Sequence, residues 1–118
     1  MLYHITTQSE WDSAKQTGVY RTSSLDSAGF IHLSATVDQV ERVANALYQA
    51  VDDVIVLHID KDALKAPVKM EPPDATVPAE HYDGELFPHL YGELPASAVI
   101  DATRLNKNND GQYESTIR

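Results

Sequence analysis

Val54-Ile55-Val56-Leu57-His58-Ile59 is a six-residue run, apolar but for one histidine and rich in β-branched side chains. A run of that length is too short for a buried helix and has no period-two alternation, so it predicts a strand covered on both faces, at the centre of a sheet. Asp52 and Asp53 turn the chain into it. Asp60 follows as the cap of a single helical turn over Lys61 to Leu64. Upstream, Thr36 and Gln39 form a capping-box pair, and Val37, Val40, Val43, Ala44, Leu47 and Tyr48 recur at helical spacing, which predicts an amphipathic helix packed on that strand. Downstream, Val68 to Glu71, Phe87 to Leu94 and Ala98 to Thr103 read as further strands. Pro72, Pro73 and Pro78 mark a loop after the first of them, and Pro95 marks a turn.

The N-terminal third has the same alternating character. Residues 2 to 6 predict a strand, and Ser9 predicts the N-cap of a short helix through Trp11, Ala14 and Lys15 that Gly18 closes. Val19-Tyr20-Arg21 leads into a polar loop of Thr22, Ser23, Ser24 and Asp26, and Gly29 opens a strand at Phe30 to Leu33. The segment from Arg104 to Arg118 is polar, with a turn signal at Asn109-Asp110-Gly111, and predicts an edge hairpin or a frayed tail. The expected architecture is a single α+β domain over 1–118, a strongly bent mixed or antiparallel sheet with two main helices.

Composition narrows the function. The chain has 118 residues, no cysteine and a formal charge of −9. Thiolate catalysis, disulfides and sulfur-rich zinc sites are therefore excluded. The charge has the wrong sign for a domain that neutralises phosphates, and no lysine or arginine stands between Lys69 and Arg104, where Glu71, Asp74, Glu80, Asp83, Glu85 and Glu93 gather. The expected partner is a small molecule and not a nucleic acid polymer, with the acidic stretch read mainly as solvated surface. No signal-peptide pattern and no bilayer-length apolar run is present, so the expected compartment is the cytosol, with no membrane partner.

The chemistry rests on histidines. Tyr3-His4-Ile5-Thr6 and Phe30-Ile31-His32-Leu33-Ser34 each set a histidine two residues before a hydroxyl, which puts each pair on one face of a strand. His89 precedes Tyr91 with the same spacing. Buried polar groups need partners, so His4, His32 and His89 are expected to share a cleft with a ligand. Glu71, at a strand end before two prolines, is a candidate general base held toward that cleft. His58 lies inside the apolar run and is read as structural, bonded to backbone or facing a helix, and His81 as solvated. None of the five histidines has the i, i+4 spacing of a helical metal pair, so no metal is expected.

Taken together, Tyr3-His4-Ile5-Thr6, Trp11, Gly18-Val19-Tyr20-Arg21, Gly29 to Ser34, Gln39-Val40, Val43-Ala44-Asn45, Leu57 to Asp60, Phe87 to Gly92 with Leu94-Pro95, and Asp110-Gly111 resemble the domain-of-unknown-function 952 family over nearly the whole chain. That family in turn resembles the ADP-ribosyltransferase-like fold, and especially the RNA 2′-phosphotransferases, whose first strand ends in Tyr-His-Gly-Thr and whose second is similar to Ile31-His32-Leu33-Ser34. The resemblance implies NAD as cofactor, held by His4, Thr6, His32, Ser34 and Tyr91, with His32, His89 and Glu71 as catalytic candidates. Ile5 stands where those enzymes have the glycine whose missing side chain lets the backbone approach nicotinamide, a departure that bears on NAD binding. No arginine stands beside His32 to hold a phosphorylated RNA, so transfer of an RNA 2′-phosphate is not expected. Two other readings stay open: a non-catalytic small-molecule-binding or protein-interaction module, and a two-histidine phosphoesterase.

Overall fold

The Val54 to Ile59 run is the middle strand of a three-stranded antiparallel sheet in a computed structural model that describes residues 1–73 and 84–115. The elements follow in chain order as β1 (Leu2–Thr7), α1 (Gln8–Thr17), β2 (Val19–Tyr20), α2 (Ser23–Ser27), β3 (Ile31–His32), α3 (Val37–Leu47), β4 (Val54–Ile59), β5 (Val68–Glu71), β6 (Phe87–Leu90), β7 (Leu94–Pro95), β8 (Val99–Arg104), β9 (Asn106–Lys107) and β10 (Tyr113–Glu114). The central sheet runs β1-β4-β8, a second sheet runs β3-β6-β5, and β2-β7 and β9-β10 are short pairs. All of these pairings are antiparallel, because the helices lead the chain between sheets and not between parallel neighbours.

Strand β4 is buried on both faces, as its composition requires. Ile55, Leu57 and Ile59 join Leu2 of β1 in a core with Trp11 and Ala14 of α1, Tyr20, Ile31, Leu33 and Leu90. Val54 and Val56 turn the other way and pack with Ile5 beneath Val40 and Ala44 of α3. The two large sheets are stitched at one point, where Tyr3 and Ser34 exchange backbone hydrogen bonds of 2.8 and 2.7 Å. Among the described residues no helix is long and apolar enough to cross a membrane.

Several boundaries differ from the sequence reading. The first helix is capped by Thr7 and not Ser9. Thr7 has extended backbone and its hydroxyl accepts from the Glu10 amide at 3.3 Å, so Thr7-Gln8-Ser9-Glu10 holds the start and Ser9 falls inside the first turn. Gly18 closes the helix with φ +84, a conformation that favours glycine. The polar loop contains α2, which buries no residue and so leaves no apolar periodicity to read. It is pinned by the Ser24 hydroxyl, which donates to the Phe30 carbonyl at 2.8 Å. The single strand expected over Phe87 to Leu94 is two strands. Tyr91 donates its amide to the Pro67 carbonyl at 2.9 Å, and the chain passes Ala66 so closely at Gly92 that a β-carbon would lie 2.5 Å from that of Ala66. Leu94 and Pro95 then pair with β2.

The expected hairpin after Arg104 is present as β9 and β10. Among the described residues, two carboxylates of the acidic stretch form ion pairs with arginine, one of them, Glu93, on an exposed side chain. Glu85 binds Arg42 at 2.5 Å and Glu93 binds Arg21 at 2.7 Å. Asp74, Pro78, Glu80, His81 and Asp83 lie outside the described residues.

Candidate functional site

Strand parity decides which side chains meet. His4 and Thr6 share the face of β1 that carries Leu2, so both project toward α1 and Tyr20 and not toward α3. There His4 is fully enclosed, with both ring nitrogens engaged. Nδ1 lies 2.6 Å from the His32 carbonyl and Nε2 lies 3.0 Å from the Tyr20 hydroxyl. Burial pushes the His4 imidazole down to about 4, against the bond to the His32 carbonyl, which favours protonation. The neutral ring must therefore carry its proton on Nδ1, where only an acceptor faces it, and Nε2 takes a hydrogen bond from Tyr20. The same hydroxyl lies 2.7 Å from Thr6 Oγ1, and Thr6 in turn donates to Glu10 Oε2 at 2.7 Å. The Tyr20 hydroxyl also reaches Glu10 Oε2 at 3.3 Å, so two hydroxyl protons serve four contacts, and the Tyr20 proton is divided among His4, Thr6 and Glu10. Burial raises the Tyr20 phenol well above its ordinary value, which keeps that proton on the residue.

The second sheet builds a different cluster on its open face. His32 and His89 are direct cross-strand partners, and Lys69 stands opposite His89 on the other side. The two imidazoles are 5.6 Å apart at their centroids. Phe30 stacks on His89 at 4.0 Å with an interplanar angle of 12° and meets His32 edge-on at 4.8 Å. Glu71 Oε1 accepts from His89 Nδ1 at 2.9 Å and from the Tyr91 hydroxyl at 2.5 Å. The bonds from Tyr91 and His89 hold the Glu71 carboxyl below its ordinary range, and the same carboxylate raises the Tyr91 phenol. Glu71 therefore stands behind His89, away from the cleft it was expected to face, and Tyr91 secures Glu71.

A cleft of about 580 Å³ lies between the two clusters and α3, within the size range of small-molecule sites. His4, Thr6, His32, Ser34 and His89 all reach its wall, while Glu71 and Tyr91 do not. The hydroxyl-bearing Thr22, Ser23 and Ser24 and the Arg21 guanidinium line one side, and Val43, Leu47 and Tyr48 the apolar side opposite. Arg21 is shared between Glu93 and Asp26 at 2.7 and 2.9 Å. His58 is elsewhere: its Nε2 lies 3.0 Å from the Thr103 hydroxyl and its ring meets Tyr3 edge-on at 5.5 Å, a side-chain partner where a backbone one was expected.

The edge of β1 adds a feature that no side-chain pattern announces. Tyr3 turns its amide and carbonyl away from β4 to reach Ser34, and the Gln8 amide reaches the Asp53 carbonyl on the β4 side, which fixes the parity. Ile5 therefore also turns its amide and carbonyl outward, where β1 has no neighbouring strand among the described residues and the cleft begins. The Ile5 carbonyl is touched by the Tyr48 hydroxyl at 3.4 Å. The Ile5 side chain points into the α3 core.

The chain matches a family model described as a protein of unknown function, DUF952, over residues 5–102. The chain belongs to the DUF952 family. Protein CC0527 from Caulobacter crescentus, another chain with this architecture, has an X-ray crystal structure that superposes with a TM-score of 0.77 at 29% identity, covering 96% of this chain and 92% of that one. Its solution NMR structure gives 0.67 at 30% identity, with coverage of 94% and 89%. No curated protein matches. Of the residues that build the DUF952 cleft in this chain, sequence reasoning missed Tyr20, Glu10 and Phe30 as partners of the histidines. Tyr20 and Glu10 become legible only once the helix start is placed at Thr7, which sets Glu10 one turn after Thr6.

Proposed function

We propose that the cleft binds NAD or a closely related nucleotide, and that the domain is an ADP-ribosyltransferase-like transferase acting on a small-molecule acceptor. The observation that carries this reading is the open edge at Ile5. A primary carboxamide offers one acceptor and one donor in a plane, which complements an outward amide and carbonyl of the same strand residue. A ring attached to that carboxamide meets the apolar wall of Val43, Leu47 and Tyr48, and the Ser34 hydroxyl lines the same cleft, available to a ribose. Arg21 at the rim reaches a diphosphate only by giving up Glu93 or Asp26. Isoleucine in place of glycine does not obstruct this approach, because its side chain leaves perpendicular to the strand edge, into the core under α3.

In this reading His4 and Thr6 shape the floor instead of donating to the ligand, since their polar atoms are already bonded to Tyr20, Glu10 and the His32 backbone. His32 and Ser34 contact the sugar. The same engagement of both His4 nitrogens leaves the His4 and His32 pair unsuited to act as the acid and base of a two-histidine phosphoesterase.

Titration calorimetry with NAD, nicotinamide and nicotinic acid tests the proposal. Saturable NAD binding is expected, with nicotinamide preferred over nicotinic acid by at least about tenfold, because a carboxylate cannot donate to the Ile5 carbonyl. Equal affinity for the two pyridines, or no heat with millimolar NAD, refutes it. NAD binding without release of nicotinamide would leave the non-catalytic, ligand-sensing form of the fold.

A further inference from the structure

We propose that His89 is the general base of the cleft, taking the proton of the water or alcohol hydroxyl that accepts the transferred group, with Glu71 as its positioning residue. The argument begins with the ring's confinement. His89 is 3% exposed, stacked on Phe30, paired across the strands with His32, and tied through Nδ1 to Glu71. A carboxylate can only accept, so a neutral His89 ring carries its proton on Nδ1 and leaves a lone pair on Nε2. Tyr91 donates to the same Glu71 oxygen, which prevents the carboxylate from swinging away. No buried side-chain nitrogen or oxygen among the described residues lacks a hydrogen bond, and Nε2 makes none with them, so Nε2 is open to solvent, and the cleft that His89 lines is where it would meet an acceptor.

A neutral imidazole held in one tautomer, with its free nitrogen toward a small-molecule cavity, needs no reorganisation before it accepts a proton. The groups facing it are Glu71 and Lys69 from β5, Tyr91 from the chain just after β6, and His32 from β3. Glu71, half-buried and bonded to Nδ1, stabilises the imidazolium once it forms.

The step rests on the NAD reading. The acceptor oxygen forms a bond to the anomeric carbon of the ribose while the bond from that carbon to the nicotinamide nitrogen breaks. The bonding pair leaves on nicotinamide, which becomes neutral, and the acceptor's proton moves to His89 Nε2 and then to solvent.

Two measurements test the assignment. Long-range ¹H–¹⁵N NMR of the ligand-free protein at about pH 8 reports the tautomer, with protonated Nδ1 and bare Nε2 expected for His89. Glu71→Ala should dissolve that preference, and Tyr91→Phe, which leaves the carboxylate free to swing, should weaken it. In parallel, His89→Asn should keep NAD affinity within about threefold by calorimetry while nicotinamide release falls by about 100-fold or more. Absence of NAD binding in the unsubstituted protein overturns the cofactor reading and the transfer step built on it. NAD binding combined with undiminished release in His89→Asn, with no release in the unsubstituted protein, or with an Nε2-protonated His89 overturns the base alone. The tautomer measurement decides the matter if His89→Asn does not fold.

Discussion

Acidification should destabilise this domain in a window that its carboxylates leave clear, and His4 is the cause. The ring is fully enclosed and burial pushes it down to about 4, whereas in the unfolded chain a histidine titrates near 6.5. Between those values the unfolded state binds a proton that the folded state refuses, so stability rises with pH across the window and is lost on acidification. At pH 5 the loss is about 2 kcal/mol. A domain of 118 residues has an unfolding entropy of about 0.25 kcal/mol per kelvin, so the melting temperature should drop by about 8 °C between pH 7.5 and pH 5. Glu71 and Glu85 have carboxyls held below their ordinary range, and their contributions vanish only as pH falls below about 4.5. Thermal melts of the natural protein and of His4→Gln at both pH values isolate the term. The variant should lose markedly less on acidification, whatever its stability at pH 7.5, and the His4 Cε1–H resonance should not move down to pH 5. A His4 resonance titrating above about pH 6, or equal acid losses in the two proteins, refutes the reasoning.

Ile5→Ala should cost about 2 to 4 kcal/mol through the cavity left under α3 while nicotinamide affinity stays within about threefold; a collapse of affinity in a folded variant would assign ligand contact to the side chain. His32→Ala should weaken NAD binding at least about tenfold, roughly 1.4 kcal/mol, whereas His58→Ala should act on stability through its lost contacts with Thr103 and Tyr3, by about 1 kcal/mol in melts. If His32→Ala loses stability with affinity intact, His32 is a core histidine. Gly92→Ala should destabilise by about 1 to 3 kcal/mol, since its β-carbon would meet that of Ala66 at 2.5 Å; an unchanged melting temperature would mean the β5 approach yields freely. Fluorescence anisotropy with labelled RNA and DNA should show no submicromolar, salt-dependent binding, in keeping with the formal charge of −9.

What could be read from the sequence is what depends on local periodicity. The continuous run of β4 states its own burial, and the 3.6-residue pattern of α3 marks the helix and the buried Val40 and Ala44, whereas Leu47 of the same stripe is exposed. The co-facial placement of His4 with Thr6 is likewise a consequence of strand geometry alone. The Glu71 contact with His89 is of another kind. It exists because β5 and β6 pair with Lys69 opposite His89, a register set across a connection that no periodicity encodes, so the position of Glu71 at a strand end does not announce its bond to His89. α2 escaped notice for the opposite reason: a five-residue helix that buries nothing has no apolar stripe to declare it.

The Ile5 position shows why a side-chain motif alone misjudges a strand edge. Side chains alternate above and below a strand with period two, and backbone amides and carbonyls alternate between its two neighbours with the same period. In β1 these alternations are locked together: His4 and Thr6 spend their backbone groups on β4 and their side chains on the Tyr20 cluster, while Ile5 spends its side chain on the α3 core and turns its backbone to the cleft. A residue whose side chain faces away from the site can therefore be the one that contributes most polar backbone to it. The identity of that side chain is constrained by the core under α3, while the edge it leaves is backbone alone.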